Sequence, residues 1–461
     1  MSITEALLLE RTASPWSPTL IFMISTACLS SLQFGYHMSE LNAPQEIMNC
    51  ARSVPADGTW FEDHGLLTCI PFQEHVGAIT SSYPLGGLVG SLFAGYLSDR
   101  YGRKRLFLLV SILYFVGSTL EGLANSTLIL GLGRTINGLG AGTGLVVSPM
   151  FINEISPLRL RGFLGSLNQV SVNLGILFTQ LLATCWSNDS QWRLILLMGS
   201  AMALASLVCS VFMYESPRWL YSSNPTSALK ILSILRNGDV SVVENWENEA
   251  EESQGATVSL TDFETNPKYS KSRNISALIM IGQQFCGINS IIFYGVQVLV
   301  QVFPNSVILV NCLISVLNAT VTFIASLFMD KYGRKPLLRL SSIAMGISSL
   351  GLAVGILNHL PMLSVASVLG YVGFFAIGVG PIPFLLISEV SQAECKGLAQ
   401  SQGMVFNWLS TFLIGAFFPL VNGGGVYIAF ALVCFAYCYW ITRSIPETKG
   451  KDTYEEVWGI S

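Results

Sequence analysis

Charged side chains are scarce in this 461-residue chain: Asp, Glu, Lys and Arg together make up 11% of it, against roughly 25% in an average soluble protein. That shortage excludes a fold that covers its whole surface with polar groups. With 51% apolar residues and a mean hydropathy of +0.55, the chain needs lipid as the solvent for its outside. A surplus of positive charge is also missing. The net charge is -4, which gives nucleic acid nothing to bind. Enzyme signatures are lacking too: there is no P-loop lysine, no HExxH and no triad spacing. The run GLGRTINGLGAGTG (Gly131 to Gly144) follows no strand, and its glycines suit close packing of membrane helices better than a phosphate. The ten cysteines show no metal-ligand spacing, and most sit in apolar stretches where a thiol behaves as a small hydrophobe. Neither metal nor cofactor is expected. No cleavable leader is expected either, because Met1 to Ser17 carries Glu5, Glu10 and Arg11 and no small-residue cleavage site follows the first apolar stretch.

What is present is a series of apolar stretches, each long enough to cross a bilayer, which takes about 20 residues of helix. Twelve can be placed, near 18–38, 75–97, 106–124, 128–152, 163–184, 193–213, 275–300, 305–329, 337–357, 361–388, 399–421 and 425–443. An even number puts both termini on one side. The loops on that side hold all of the 24 Lys and Arg except Arg52, Arg134 and Arg193, so both ends are expected in the cytoplasm. The predicted organisation is a cytoplasmic N-terminus (1–17), a six-helix bundle (18–214), a linker (215–273), a second six-helix bundle (274–444) and a tail (445–461). The linker is expected to hold short helices, one of them over Thr226 to Leu235, while the acidic run Glu244 to Glu252 reads as a solvated surface. Cys50 and Cys69 share the long first outward loop, as a disulfide or as two free thiols. The sequons at Asn125 and Asn188 fall outward, that at Asn274 is cytoplasmic and that at Asn318 is intramembrane.

The two bundles echo each other. Gly95-Tyr-Leu-Ser-Asp-Arg-Tyr-Gly-Arg-Lys104 returns as Ser326-Leu-Phe-Met-Asp-Lys-Tyr-Gly-Arg-Lys335, and Glu154-Ile-Ser with Arg161-Gly is answered by Glu389-Val-Ser with Lys396-Gly. Duplicated six-helix halves with matched charged loops imply a carrier that rocks two bundles about a central site.

Eight motifs then carry a closer resemblance: GYLSDRYGRK, GRTINGLGAG, NEISPLRLRG, ESPRWL, QQFCGINSIIFY, GPIPF, FNW and PETKG. Together they resemble the sugar porters of the major facilitator superfamily, which include facilitative glucose transporters and proton-xylose symporters. The opening stretch FGYHMSELNAPQ is most similar to a fungal branch with vacuolar-membrane members. The resemblance implies an all-α membrane protein of twelve helices, working as a monomer by alternating access on a hexose. Facilitated diffusion is expected; proton-coupled sugar or polyol symport and a non-transporting sugar sensor are the alternatives. The expected partners are a sugar, the lipid bilayer of a plasma or vacuolar membrane and, for symport, protons.

Sugars are neutral and rich in hydroxyls, so amides that both donate and accept suit them, with an aromatic face for the C–H side of the ring. In QQFCGINSIIFY, Gln283, Gly287, Ser290 and Tyr294 recur at helical spacing as one polar or small stripe, and Gly287 lets the helix loosen. The resemblance implies sugar contacts from Gln283, Gln284 and Asn289, with Gln169, Asn318 and Trp408. Phe384 stands where glucose carriers place Trp, and Ala376 where they place Glu, so a hexose other than glucose, a pentose or a polyol stays open. Arg134, on an apolar stretch, needs a partner or water. The residue after FGY is Asp in proton-coupled relatives and commonly Asn in facilitators; here it is His37, whose unperturbed titration lies at about 6.5. Two alternatives stand: a cluster of His37, Glu40 and Arg134, or Glu40 in a wet outer vestibule with His37 as a pore-lining group. The resemblance also implies a cytoplasmic gate of salt bridges from Asp99, Arg100, Arg103, Glu154, Arg161 and Glu215 in one half, and Asp330, Arg334, Glu389 and Lys396 in the other.

Overall fold

The computed structural model describes residues 16–51, 60–157, 160–238, 258–300, 307–421, 423–451 and 454–459. Ser17 starts the first helix by accepting a hydrogen bond from the Leu20 amide at 3.0 Å, with Pro18 next to it, where a missing N–H costs nothing. Twelve rods follow: α1 (Pro18–Ser39), α2 (Val76–Tyr101), α3 (Arg103–Gly122), α4 (Thr127–Ile155), α5 (Arg161–Trp186), α6 (Trp192–Phe212), α7 in two pieces (Ser270–Phe285 and Ile288–Val300), α8 (Val307–Tyr332), α9 (Arg334–Leu357), α10 in two pieces (Pro361–Ile377 and Ile382–Glu389), α11 (Lys396–Phe417) and α12 (Gly425–Ser444). No strand occurs among the described residues.

Among the described residues ten spans meet both the length and the apolarity needed to cross a bilayer. The other two, α2 and α5, are 26 residues long but less apolar, and their place in the fold explains it. They form the seam between the halves, α2 against α11 and α5 against α8, where one side of each helix packs on protein. Packing partners repeat with an offset of six helices: α1 with α5 matches α7 with α11, α2 with α4 matches α8 with α10, and α3 with α6 matches α9 with α12. The duplication read from two loops therefore extends to the whole helix arrangement. Within the first half α1 and α5 touch backbone to backbone. A Cβ on Gly35 would stand 1.9 Å from the Val172 carbonyl oxygen, and one on Gly175 would stand 1.9 Å from that of Leu32. On the outside, Leu128, Phe212, Leu327 and Leu432 are exposed, as lipid-facing side chains are.

The second bundle begins one turn earlier than expected, at Ser270. The linker contains the expected helix as Pro225–Leu235, together with Pro217–Tyr221 and Leu260–Thr265; Glu244 to Glu252 lies outside the described residues. The tail folds back on the second half as a short helix, Tyr454–Trp458, whose indole donates to the Val390 carbonyl at 3.2 Å. Cys50 and Cys69 form a disulfide, with Cα atoms 5.3 Å apart, and mark the face opposite the termini. The two sides are called here the disulfide face and the terminal face.

Candidate functional site

Both broken rods border the seam. Rod α7 breaks at Gly287, whose φ of +99° suits glycine, and a Cβ there would meet the Phe430 ring at 2.5 Å. The expected loosening is thus a full break, and the stripe from Gln283 to Tyr294 is not one continuous helix face. Rod α10 breaks over Gly378 to Pro381. Gln283 bridges the two breaks: its Nε2 donates at 2.8 Å to the carbonyls of both Val379 and Gly380. Its Oε1 accepts from Asn407 at 2.9 Å and from Gln284 at 3.3 Å, while Asn289 donates to Gln284 at 2.6 Å and to Thr411 at 3.3 Å. Gln283 is therefore saturated by protein and holds the scaffold in place. Asn407 and Thr411 belong to the same network and were not singled out from sequence.

Three buried polar atoms around this seam have no protein partner: Asn289 Oδ1, Asn318 Oδ1 and the Trp408 indole nitrogen. The Trp408 ring meets Phe34 edge-on at 5.7 Å and Tyr83 at 6.2 Å, so it lies across the seam from α11 to α1 and α2. Phe384 packs at the border of the same aromatic group. Asn318 donates to Asn173 at 3.3 Å and also lines a small cavity with Asn42, Gln180, Asn311 and Ser315. Gln169 is half-buried on α5 and hydrogen-bonds to none of the other described residues.

Towards the disulfide face the halves are stitched together by amides. Asn42 accepts from the Val296 amide at 3.0 Å, Asn311 donates to Gln180 at 2.7 Å, and nearer the middle Asn173 donates to Thr322 at 2.7 Å. This face is closed.

Of the two alternatives for the buried charges, the structure has the cluster. Arg134 Nη1 donates to Glu40 Oε1 at 2.6 Å and to the His37 carbonyl at 2.7 Å, and His37 Nδ1 lies 2.9 Å from Glu40 Oε2. All three residues are fully buried, so Glu40 does not stand in a wet vestibule. A fourth ionisable group, Glu121 on α3, was not read from sequence. It is also fully buried and accepts from Asn137 at 2.7 Å.

The loop charges form twin constructions. Arg103 binds Glu154 through Nε and Nη2, at 3.1 and 2.8 Å, and Arg334 binds Glu389 the same way, at 3.1 and 2.9 Å. Glu215 accepts from the amides of Arg103 and Lys104 at the start of α3, and Glu447 does so from those of Arg334 and Lys335 at the start of α9. Gly102 and Gly333, with φ of +89° and +87°, leave room: a Cβ would stand 2.3 Å from Glu215 Oε2 in one and 2.9 Å from Glu447 Oε2 in the other. Asp99 pairs with Arg103 at 3.3 Å. Arg100 instead donates to Tyr96 at 2.7 Å, and Lys396 is exposed and joins no ion pair among the described residues. The side chains of Arg161 and Asp330 lie outside the described residues. Each of these pairs joins helices of one half, so in this state they brace the bundles and do not clamp one to the other. Glu447 completes the set and was missed.

Two six-helix bundles, a seam of buried amides and broken helices beside it define a multi-pass membrane transport protein of the major facilitator fold. The chain belongs to the sugar (and other) transporter family, whose model matches residues 23–458. It is 42% identical over 462 residues to a probable metabolite transport protein of Saccharomyces cerevisiae, covering 95% of each chain. It is 29% identical to facilitated glucose transporter member 2 of Gallus gallus, covering 95% of this chain and 92% of that one. Among solved structures, a partially occluded inward open conformation of the xylose transporter of E. coli superposes with a TM-score of 0.78 at 25% identity, covering 95% of this chain and 100% of that one.

Proposed function

We propose that the protein carries a monosaccharide, a hexose first of all, across a membrane by alternating access as a monomer, with its terminal face in the cytoplasm. The observation that carries this reading is the set of unpaired polar atoms at the seam, Asn289 Oδ1, Asn318 Oδ1 and Trp408 Nε1. Two acceptors and one donor, uncharged and buried, are costly without a ligand and suit hydroxyls that both donate and accept. The relatives named for glucose and xylose support the same class. Ala376 and Phe384 offer neither a carboxylate nor an indole, so binding rests on amides and ring stacking. The closed disulfide face and the broken α7 and α10 supply the moving parts: sugar binds between the halves, the amide stitches part, and access passes to the other face.

Uptake of radiolabelled sugars into proteoliposomes, across hexoses, pentoses and polyols, tests the proposal. A saturable hexose flux that Trp408→Phe weakens is the expected result. A panel in which no sugar exceeds the flux of empty liposomes refutes it.

A further inference from the structure

The glycines of α2 face two ways. Gly86 and Gly90 lie against α4, where a Cβ would stand 2.1 Å from the Thr135 carbonyl oxygen in the first case and 2.3 Å from that of Leu139 in the second. The return contact is as close: a Cβ on Gly142 of α4 would stand 2.0 Å from the Gly87 carbonyl oxygen. The two helices touch backbone to backbone, so α2 has no room to retreat towards α4. The side of Gly87 where a side chain would begin faces the other half of the molecule. A Cβ there would stand 2.6 Å from both Cε3 and Cζ3 of Trp408 and 2.7 Å from its Cδ2, where two carbons pack best at about 3.5–4.0 Å. Glycine inside a helix is a poor choice on propensity alone. Here it makes room for an indole.

That indole lies in a seat built wholly by the first half. Gly87 and, one turn earlier on α2, Tyr83 form it, with Phe34 of α1 beside them. Tyr83 is itself held, its hydroxyl donating to the Phe34 carbonyl at 3.0 Å and its ring lying 4.7 Å from the Arg134 guanidinium. Trp408 comes from α11 of the second half; it is 2% exposed and its Nε1 has no protein partner. The direction of that N–H follows from the ring plane, and the ring plane from the seat. Asn289, whose Oδ1 also lacks a partner, is fixed within the second half by its bonds to Gln284 and Thr411. The first half therefore decides where a free donor stands relative to a free acceptor.

We propose that Gly87 is a positioning residue of the sugar site: its bare Cα seats the indole of Trp408, and the depth of that seat sets the reach of the indole N–H towards a sugar hydroxyl. Because α2 cannot withdraw, a methyl group at position 87 moves the ring and not the helix. A hydrogen bond weakens steeply as its geometry departs from the optimum, so a small displacement of the ring costs the contact.

The proposal rests on sugar transport, and a cycle of wild type, Gly87→Ala, Trp408→Phe and the double variant keeps the two ideas apart. Melting in detergent without sugar reads the seat. Phe keeps an aromatic ring there but lacks the two carbons, Cε3 and Cζ3, that the new Cβ would strike. Gly87→Ala is expected to melt a few degrees below wild type, and Trp408→Phe is expected to cost less in that background than in wild type. Additive shifts overturn the seat whatever the substrate. Uptake into proteoliposomes, with D-glucose and D-xylose as probes, reads the positioning. Gly87→Ala is expected to raise KM about tenfold, and the double variant to match Trp408→Phe within about twofold, because the N–H through which Gly87 acts is already gone. A seam that is merely jammed lowers kcat at unchanged KM. That result, or a double variant whose KM multiplies the two single effects, refutes the positioning role and leaves sugar transport standing. Should Gly87→Ala not fold alone, the double variant carries both readouts: folded protein with the KM of Trp408→Phe supports the proposal, and failure to fold or a higher KM overturns it. A wild type that carries neither probe removes the ground for the positioning role, and the melts then decide the seat alone.

Discussion

Removing Glu40 and Arg134 separately and together tests the buried ion pair through stability. In Glu40→Gln, Arg134 loses the carboxylate at 2.6 Å and keeps the His37 carbonyl at 2.7 Å and the Tyr83 ring. In Arg134→Met, Glu40 keeps only the His37 ring nitrogen at 2.9 Å. Each single variant breaks a buried pair from one side, which costs about 3–5 kcal/mol. In the double variant neither of the two charges is left behind, so its cost is smaller than the sum of the singles by at least about 2 kcal/mol. Denaturant unfolding in detergent at neutral pH, run on all four proteins, measures this directly. A double variant equal to the sum of the singles within about 0.5 kcal/mol would mean that the two side chains do not stabilise each other, and the pair would have no part in holding the bundle together.

Trp408→Phe keeps the ring packing but deletes the unpaired indole donor; the KM for the transported sugar should rise about tenfold, worth about 1.4 kcal/mol, and an unchanged KM would remove Trp408 from the substrate contacts. Glu215→Gln and Glu447→Gln should each destabilise the fold by about 1–3 kcal/mol, because each weakens amide bonds to a carboxylate at a helix start; a deficit in only one of them in thermal melts would break the proposed equivalence. Cys50→Ser should lower stability by about 3 kcal/mol, given a sequence separation of 19 residues, and reductant should do the same to wild type; no difference between oxidised and reduced protein would refute it.

Legibility from sequence followed the distance over which each feature is written. The twin loops are short and contiguous, so ten residues sufficed to expose the duplication. Glu447 was nonetheless within reach: Gly102 and Gly333 lie 231 residues apart, Glu215 and Glu447 lie 232 apart, and nearly the same offset that paired the loops pairs the carboxylates. Glu121 was not legible in the same way. It stands near the end of an apolar stretch, where a lone acid reads as the edge of a span, and its partner is on another helix. Gln283 sits on a polar stripe, and the resemblance implies a sugar contact for it. The break at Gly287 changes where that stripe points, and a backbone break three helices on, at Val379 and Gly380, takes up the amide nitrogen in this state. Arg100 shows the same limit, since the motif that contains it does not say which way an exposed guanidinium turns.

The two faces of the molecule are held by different forces, and this bears on how it responds to its surroundings. The bonds that shut the disulfide face run between amides, a hydroxyl and the backbone, with no ion among them. Dissolved salt has nothing there to screen, so ionic strength leaves that seal as tight in brine as in dilute buffer. On the terminal face the twin braces are ion pairs, and counter-ions reach the more exposed of them, Arg334 with Glu389, before the more buried Arg103 with Glu154. A carrier made this way keeps the seal of one face indifferent to the electrolyte around it, while salt tunes the rigidity of its bundles from the other.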